Sequence, residues 1–559
     1  MVTNKHFWIC VIVSVLTFNM LSGVRNWEWA KRAGGIEVDY ASAIATDSDN
    51  NAYITGYFSG TTIIGNTTLA SNTGVTSYVA KMDAAGNWLW AIKNIGTIQS
   101  NCQAYDIEVD ASGNVIICGY FSGFISIGNM ELTSTSDSEY DIFVAKIDPN
   151  GNCLWAKHAG GNGNDYCTSL AVDGQGDVYV IGCYDENALF GAIHIQNTEY
   201  PYFFTLSTFV AKLSVAGDWL WVKAINDTEH TLGMAIAVGS DQSVYITGDC
   251  VSFLPIIPRT LGDDMRSAFI AKLDSEGNWL WAKLSGGLNK ACGYAIAPDN
   301  QGNVYVSGDF TKSASFGDNS LISNGKADIF VSKLTTGGEW LWARQTGSTG
   351  WDRSYYLAVD DSANAYISGY YEIAEPDIPD SLRLRDAFVS KISPEGNWLW
   401  AESVGSTSEN YCYGIAMDSA NSIYMAGDFL SNADFGSLSL TSNGSSDIYV
   451  AKLSESSSIE DDTSPQLPVF ALAQNYPNPF NPSTTISFSI AKAEKVSLDI
   501  YNIKGQHVNC LVDGDMAQGA YSIVWNGKDK SNNSVASGVY LYRLNTVSNS
   551  QTKKMIMLK

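Results

Sequence analysis

The sequence holds few side chains of the kinds that acid–base or nucleophilic catalysis requires. It contains five histidines, and His158, His194 and His230 occupy unrelated positions with no catalytic partner at a regular spacing. No GxSxG, HExxH, P-loop or dinucleotide-binding glycine motif is present. We therefore interpret these histidines as surface or strand residues, and we expect no catalytic residues.

Metal-ligand chemistry is suggested only by the segment DSDNN, Asp47 to Asn51, whose Asp and Asn residues resemble those of a calcium-binding loop. Related segments recur along the chain, but only their first Asp recurs reliably, and Gly239 replaces it once. A calcium site needs several oxygen ligands, so the pattern favours Asp and Asn as turn caps. We expect no metal ion and no cofactor.

Cysteine spacing indicates neither a zinc site nor a complete disulfide framework. Nine cysteines follow residue 23 without any CxxC spacing, and an odd number cannot pair completely. Most of them stand where related segments carry Ala, Thr, Phe or Trp. We predict that they are small buried hydrophobic residues.

Charge and the N-terminal segment bear on location. Acidic residues outnumber basic ones 58 to 33, and the formal net charge of −25 disfavours binding to nucleic acid or anionic membranes.

Lys5 and His6 precede an apolar run from Phe7 to Leu21, and small residues follow. We predict a signal peptide over residues 1–23 and no transmembrane span in the mature chain.

Pairs of tryptophans separated by one residue recur along most of the chain. Such a pair could stack on a sugar or a cofactor, or it could be the packing surface of a repeated unit. A VYVSGDF-like stretch and an IFVAKID-like stretch recur with it, seven times each, at a period of about sixty residues. The pairs are Trp27/Trp29, Trp88/Trp90, Cys153/Trp155, Trp219/Trp221, Trp279/Trp281, Trp340/Trp342 and Trp398/Trp400.

Each repeat is predicted to contain four β-strands. Its apolar runs are rich in β-branched and aromatic residues and are bounded by Gly, Asn and Asp. Seven such units predict an all-β fold, a seven-bladed β-propeller, in which each sheet packs between its neighbours. The chain begins with an isolated tryptophan-pair strand and ends its repeats on an isolated strand, Ile448 to Ser454. We predict that residues 26–31 pair with that strand and complete the last blade.

The turn before each tryptophan pair predicts how the tryptophans pack. The segment DAAGN before Trp88 fits a three-residue hairpin loop with its Gly in the left-handed conformation. This register places Met82 opposite Trp88 and Ala80 opposite Trp90, a small residue against a large one. We interpret the pairs as a packing surface rather than a ligand platform.

The stretches GNVYVSGDF, ADIFVSKL and GNWLWAK resemble the SBBP-type repeats of bacterial seven-bladed β-propellers. The resemblance covers roughly residues 26–454, and we assign residues 24–454 to the propeller. It implies the propeller fold and a bacterial extracytoplasmic setting. It implies no single activity, because propellers serve many functions.

The C-terminal part of the chain is a different module. Residues 455–470 are polar, acidic and proline-bearing and are predicted to be a linker, and residues 471–559 have the alternating strands of a small Ig-like β-sandwich. This segment resembles the type A sorting domain of the type IX secretion system. The matching residues are Asn475 to Pro482, Tyr501 to Gly505, Trp525 to Gly527, Ser537 to Tyr540, Lys553, Lys554 and Lys559. The resemblance implies the type IX secretion machinery as a partner, with export through the periplasm to the cell surface or beyond.

One lysine recurs at the same position of every repeat. Seven ammonium groups converging without anions would repel each other, so we predict that each lysine lays its stem along a sheet and leaves its head free. A positively charged channel for anions is the second hypothesis. The lysines are Lys81, Lys146, Lys212, Lys272, Lys333, Lys391 and Lys452.

A binding site is expected at the face shared by the B–C and D–A connections of the propeller, where repeat length varies. The residue after the recurrent strand-B Gly is Tyr or Asp in six repeats and Cys183 in the other. The pattern favours strand-end packing for these side chains, and contact with a sugar or a peptide is the alternative. The candidate binding residues are Tyr57, Tyr120, Asp249, Asp309, Tyr370 and Asp428.

These features favour a secreted or cell-surface protein that binds an extracellular protein or glycan, or builds part of the surface, without catalysis. The alternative is an extracellular carbohydrate-active enzyme with carboxylates and tyrosines gathered from several B–C loops. A polar pocket at that loop face would favour the enzyme.

Overall fold

The computed structural model describes residues 24–557 except 97–99, 197–205, 226–230, 252–265, 288–289, 374–383, 406–407, 457–470, 473–474, 476–477, 479, 491, 518 and 548. The predicted signal peptide and most of the predicted linker lie outside the described residues. So does part of the longest B–C connection. The described chain consists of β-strands and connections, and none of its elements is a helix long and apolar enough to cross a bilayer.

Seven four-stranded antiparallel sheets form the body of the described chain, and we name the strands of each sheet A to D. Strand A spans Asp39–Thr46, Asn101–Val109, Tyr166–Val172, Thr231–Val238, Ala291–Pro298, Arg353–Val359 and Asn410–Met417. Strand B spans Ala52–Ile64, Val115–Ser122, Val178–Tyr184, Val244–Cys250, Val304–Phe310, Ala365–Ile373 and Ile423–Phe429. Strand C spans Thr67–Met82, Asp141–Ile147, Ser207–Leu213, Ser267–Leu273, Asp328–Leu334, Leu384–Ile392 and Asp447–Ser456. Strand D spans Trp88–Lys93, Cys153–Ala159, Trp219–Ile225, Trp279–Leu284, Trp340–Thr346, Trp398–Val404 and, for the last sheet, Val24–Ala33.

The seven sheets are arranged as a closed ring. Each strand A contacts strand A of both neighbouring sheets, and strand A of the first sheet contacts strand A of the last. Apolar side chains of adjacent sheets share each core cluster, as when Tyr53 of the first sheet packs with Phe143 of the second. The fold class predicted from the repeats, an all-β propeller, is confirmed.

The last blade is built from both ends of the propeller chain. Val24–Ala33 pairs antiparallel with Asp447–Ser456, from Val24 opposite Ser456 to Ala33 opposite Ile448. This is the pairing that the sequence predicts for residues 26–31. Hydrogen bonds between two distant parts of the chain therefore close the ring.

The register of the tryptophan strands differs from the prediction in one respect. Met82 lies opposite Trp88 as predicted, but Lys81, not Ala80, lies opposite Trp90, and Ala80 pairs with Ala91. A β-bulge after Trp88 causes the shift, because the extra residue is left out of the ladder. The predicted contact of a small residue with the second tryptophan is therefore wrong.

The second tryptophan of each pair joins its blade to the next one. Its indole N–H donates to a main-chain carbonyl in the C–D turn of the following blade. The six pairs are Trp29–Ala84, Trp90–Pro149, Trp155–Val215, Trp221–Ser275, Trp281–Thr336 and Trp342–Pro394, at 2.9–3.1 Å. Gly86 in such a turn has a φ of 82°, and a Cβ there would lie 2.8 Å from Trp29. The tryptophan pairs are a packing surface, as the sequence predicts.

Trp400 is the exception, because the last blade has no C–D turn. Its indole N–H is buried and has no acceptor among the described residues. Glu455 occupies the acceptor position, but its backbone continues in the strand opposite Arg25 and does not turn. The Arg25 guanidinium lies 5.3 Å above the Trp400 ring and pairs with Glu402 at 2.9 Å. The joint between the sixth blade and the last blade is thus held by side chains, whereas the other joints between blades use a turn.

The repeated lysines do not have free head groups, and that prediction is wrong. Each Nζ pairs with an Asp carboxylate of the A–B turn, and six of the seven side chains are buried. The pairs are Lys81–Asp47, Lys146–Asp110, Lys212–Asp173, Lys272–Asp241, Lys333–Asp299, Lys391–Asp360 and Lys452–Asp418, at 2.8–3.7 Å. Where Gly239 replaces the usual Asp, Asp241 supplies the carboxylate from two residues further on. The charge of each lysine is therefore compensated within its own blade.

The same Asp residues cap their turns, as the sequence predicts. Asp47 Oδ1 accepts from the backbone N–H groups of Asp49 and Asn51 at 3.0 and 2.9 Å. Its other oxygen, Oδ2, accepts from the Tyr53 hydroxyl at 3.0 Å and faces Lys81. One carboxylate thus serves both the turn and the buried ion pair.

The cysteines are mostly core residues, as predicted. Cys153 is half-buried and Cys510 is exposed, and the other seven described cysteines are buried. The buried set comprises Cys102, Cys118, Cys167, Cys183, Cys250, Cys292 and Cys412.

Short ribbons and a separate sandwich complete the described chain. The ribbons are Phe124–Ile127 with Met130–Thr133 and Ile95–Gly96, Asn187–Phe190 with Ile193–Gln196, Ser313–Phe316 with Asn319–Ile322, and Asn432–Phe435 with Leu438–Thr441. The sandwich has one sheet of Ala471–Leu472, Thr484–Ile490 and Gly519–Trp525, and another of His507–Met516, Glu494–Asn502, Gly538–Thr546 and Ser550–Met557. Trp525 and Tyr542 are fully buried between the two sheets, in a core of their own. The Ig-like fold predicted for this segment is confirmed.

Candidate functional site

A β-bulge interrupts strand A in every blade and sends one extra residue towards the axis of the ring. The cause is the recurrent Gly of strand B: a Cβ on Gly56 would overlap the carbonyl oxygen of Tyr40 on strand A. Only Gly allows this close approach of the two backbones. The bulged residues are Ser42, Tyr105, Thr168, Met234, Tyr294, Tyr355 and Tyr413.

The bulged residues line a central cavity of about 690 Å³, whose wall is formed by strand A of all seven blades. This volume lies in the range of small-molecule sites. The tyrosines stand at the end of strand A where the D–A and B–C connections meet, the face expected to bind. We call this end of the cavity the tyrosine mouth. It comprises Tyr40, Tyr57, Tyr105, Tyr120, Tyr140, Tyr166, Tyr294, Tyr355, Tyr370, Tyr411 and Tyr413.

The six candidate binding residues all occupy one level of strand B at this end. Tyr57 lines the cavity, and Tyr120 is half-buried among other tyrosines. Tyr370 and the three aspartates are buried behind the wall, with at most 6% of their surface exposed. The structure brings all six to one end of the ring, but strand A supplies most of the surface that a ligand would meet.

One group of four tyrosines lies on the second and third blades. The Tyr120 ring lies 4.8–5.5 Å from the rings of Tyr105, Tyr140 and Tyr166. Tyr105 is 40% exposed and is the most accessible of the four. Packed aromatic rings support one another, so this group forms a rigid, partly apolar surface with hydroxyl groups at its edge.

A second group of tyrosines surrounds two arginines in the last three blades. Arg353 Nε pairs with Asp309 Oδ2 at 2.9 Å, and its guanidinium lies 4.8 Å above the Tyr294 ring. Arg385 Nη1 donates to the Tyr411 hydroxyl at 2.6 Å. Burial opposes the charge of Arg353, but the Asp309 carboxylate raises its pKa overall, so Arg353 stays charged.

The buried aspartates anchor this wall. Asp249 accepts from Arg266 at 3.1 Å, and Asp428 accepts from Ser446 at 2.8 Å. Burial raises the pKa of Asp428 to about 7, although the Ser446 hydrogen bond lowers it. Their contacts favour a positioning role for these carboxylates.

Deeper in the cavity the second blade contributes two carboxyl groups. Asp106 accepts from Ser169 Oγ at 2.8 Å and from the Leu170 backbone N–H at 2.9 Å, and burial raises its pKa to about 6. Glu108 lines the cavity two residues further along the strand. Burial, and then the charge of Asp106, raise the pKa of Glu108 to about 8.

Glu108 breaks a regular pattern. The equivalent residue is Ala in the other six blades, opposite a buried Tyr of strand B, whereas Glu108 lies opposite Ile116. The alanines are Ala45, Ala171, Ala237, Ala297, Ala358 and Ala416. Glu108 is half-buried and has no ion pair among the described residues, so its carboxyl opposes folding where Ala would not.

The sequence analysis did not identify the strand-A tyrosines, Arg353, Asp106 or Glu108. Two signals could have revealed them: the Gly in every strand B, which marks the bulge, and the single Glu among aligned alanines. Within the described ranges, no three His, Cys, Asp or Glu side chains lie close enough together to form a metal-binding group.

The fold and the cavity define a β-propeller with a ligand-sized axial site, followed by an Ig-like domain. A β-propeller repeat model matches residues 28–57, and the FlgD Ig-like domain model matches residues 478–550. An uncharacterized WD repeat-containing protein of Acanthamoeba polyphaga mimivirus is 25% identical over 360 residues, which cover 52% of this chain. The chain spans 25% of that relative's length.

Two solved structures show more distant similarity. Puromycin hydrolase is 9% identical, with 81% of this chain and 59% of that chain covered and a TM-score of 0.41. PorZ, an essential bacterial surface component of the type IX secretion system of Porphyromonas gingivalis, is 10% identical. That comparison covers 95% of this chain and 100% of PorZ, with a TM-score of 0.13. Similarities at these TM-scores carry no argument about activity.

Proposed function

We propose that this chain is a secreted or cell-surface binding protein without catalytic activity, and that its ligand, an extracellular protein or glycan, contacts the tyrosine mouth. The observation that carries this proposal is the set of tyrosines gathered at one end of the cavity, six of which line it: Tyr40, Tyr57, Tyr105, Tyr294, Tyr355 and Tyr413. Tyrosine offers a large contact area with little conformational entropy to lose, and each hydroxyl can donate or accept a hydrogen bond. The ligand is expected to lie across strand A rather than on the outer tryptophan strands.

Tyr105 is the sharpest test of this proposal, because it is exposed and borders both the cavity and a tyrosine group. The exchange Tyr105→Ala is expected to weaken binding about 30-fold, the effect of losing a central interface residue. The measurement is a glycan array and a pull-down of surface proteins, followed by titration of any ligand captured. Tyr105→Phe, which keeps the ring, is expected to lose much less.

The matched control is Leu280→Ala, because Leu280 is 53% exposed on an outer strand D. It is expected to bind like the original chain. If Tyr105→Ala and Leu280→Ala bound a captured ligand equally well, the site would lie elsewhere.

A carbohydrate-active enzyme is the second candidate, and the pair Asp106 and Glu108 favours it. A carboxyl with a raised pKa could act as a general acid beside an ionised one. The two groups project from one strand, however, whereas glycosidase carboxyl groups flank the scissile bond. Release of reducing sugar from polysaccharides by the original chain, and its loss in Glu108→Gln, would establish the enzyme.

Export is the other part of the proposal. We propose that a signal peptide at residues 1–23 directs the chain to the periplasm and that the Ig-like domain delivers it to the type IX secretion machinery. The match of residues 478–550 to an Ig-like domain model supports a separate module at this place. Removal of residues 471–559 is expected to leave the propeller in the periplasm, as measured by cell fractionation and surface protease digestion.

A chain that keeps residues 471–559 but carries the outer-rim exchange Leu280→Ala controls for expression. Equal surface amounts with and without residues 471–559 would contradict the sorting role.

A further inference from the structure

We infer that the deep part of the cavity binds an ammonium group: Glu108, with Asp106 and Tyr356 beside it, receives the cationic end of a slender aliphatic amine that enters through the tyrosine mouth. This inference rests on the proposed binding function and names the chemistry of part of the ligand.

The shape of the cavity admits such a group at Glu108. Small side chains form the wall at this level in the other six blades, so the Glu108 side chain faces open space. Only one of seven equivalent positions carries a carboxyl, and a ligand would therefore be held on one side of the ring. A single carboxyl on one side therefore gives the bound ligand a defined orientation, which a symmetric ring of identical residues would not give.

The charges around Glu108 are not balanced by the protein. Among the described residues that line the cavity, Arg353 is the single Lys or Arg, and it is already paired with Asp309. Asp106 is held in place by Ser169 and Leu170, neither of which carries charge. A buried carboxylate without a cation is costly, and an incoming ammonium group would remove that cost.

The path to Glu108 also suits a cation. Tyr40, Tyr105 and Tyr413 border the cavity, and a cation is attracted to the faces of aromatic rings. The rings of Tyr294 and Tyr355 already contact the Arg353 guanidinium. Tyr356 lies on the cavity wall in the sixth blade and is half-buried. Burial, then the charges of Asp106 and Glu108, raise the pKa of Tyr356, so it stays a neutral hydrogen-bonding group.

The pH dependence of binding follows from the raised pKa of Glu108. Burial and the charge of Asp106 on its own strand raise the pKa of this carboxyl, and a hydrogen bond with the Val109 backbone lowers it. Tyr356 on the sixth blade is a further titratable group near it, and the adjoining blades carry Ala45 and Ala171 at the same position. Below pH 8 Glu108 holds a proton that an ammonium ligand must displace. Because an alkylamine stays protonated up to about pH 10, affinity is expected to rise about tenfold per pH unit between pH 6.5 and 7.5.

The test is isothermal titration of the full chain with 1,5-diaminopentane, with the alcohol pentane-1,5-diol as the neutral isostere. The diamine is expected to bind with the stated pH dependence, and the alcohol at least tenfold more weakly. Glu108→Ala and Glu108→Gln are each expected to abolish diamine binding. A blocked Gly-Lys-Gly peptide forms a second arm, which distinguishes a lysine side chain from a free amine as the source of the ammonium group.

The pH dependence of thermal stability shows whether the Glu108 variants fold. Because the folded-state pKa of Glu108 is raised, ionisation destabilises the fold as pH rises from about 4.5 towards 8. Glu108→Ala should therefore raise the thermal midpoint at pH 8.5 more than at pH 5. Unchanged diamine binding by Glu108→Ala, or equal binding of the alcohol, would overturn the inference.

The proposed function stands apart from that outcome. Ligand capture that depends on Tyr105 could still occur if the diamine fails to bind. Loss of both would remove the tyrosine mouth as a site.

Discussion

A chain that lacks residues 24–33 is expected to lose the cooperative unfolding of its propeller. Trp29, with 9% of its surface exposed, and the fully buried Ile448 and Val450 share one core cluster, and the deletion would expose that cluster together with an unpaired edge. Removal of a buried Trp side chain alone costs about 3–5 kcal/mol, which is a large part of the 5–15 kcal/mol that stabilises a typical domain. The midpoint of thermal unfolding should fall by at least about 10 °C.

A circular permutant is the matched control, because it restores the strand in a different covalent order. Residues 27–33 are moved to follow Ser456 through a Gly-Asn dipeptide, which recreates the five-residue C–D turn of the other blades. This turn also places the Glu455 carbonyl where it can accept from the indole of Trp400. The permutant is expected to be at least as stable as the original chain, and normal melting of the simple deletion would refute the role of the shared blade.

The exchange Lys333→Ala is expected to destabilise the propeller by about 3–5 kcal/mol, because it leaves a buried carboxylate without its cation. Lys333 Nζ lies 3.2 Å from Asp299 Oδ2 and 2.7 Å from the Tyr305 hydroxyl, and only 5% of Lys333 is exposed. Tyr305 in turn donates to the Ala363 carbonyl of the next blade at 2.6 Å. Loss of the lysine thus affects the joint between two blades. Urea denaturation measures the difference.

Lys283→Ala is the matched control for the loss of one lysine. Lys283 pairs with Glu339 at 3.8 Å, but the Glu339 side chain is 79% exposed, so the expected cost is about 0–1 kcal/mol. A double exchange, Lys333→Met with Asp299→Asn, removes both charges and should recover part of the stability. Equal costs for Lys333→Ala and Lys283→Ala would show that the buried pair contributes no more than an exposed one.

The placement of the lysines shows where reasoning from sequence alone was incomplete. Each lysine and each turn aspartate recurs visibly in the repeats, and the turn capping by Asp47 was predicted from its neighbours. The pairing of Lys81 with Asp47 was not predicted, because the two residues are 34 positions apart in the chain (81 − 47). A contact between the A–B turn and strand C depends on the face of the sheet to which each side chain points. The register of the strands determines that face.

Bulges account for the other differences. A strand that keeps its period of two places Ala80 opposite Trp90, and a single unpaired residue after Trp88 cancels that expectation. The bulge in strand A has the larger consequence, since it sends Tyr105, Tyr355 and Tyr413 into the cavity. The pattern of strand A does not report its own bulge, because the signal, a recurrent Gly, lies on the partner strand B.

Local sequence patterns were enough to predict the number of repeats, the four strands of each, the order that lets residues 26–31 close the ring, and the separate C-terminal module. These follow from local patterns of apolar residues and turns, which each repeat displays independently. The closed ring is what brings one residue from each blade to the axis and places Glu108 in the wall of a cavity. Closure of the ring brings together side chains that are about sixty residues or more apart, and no local pattern records that distance.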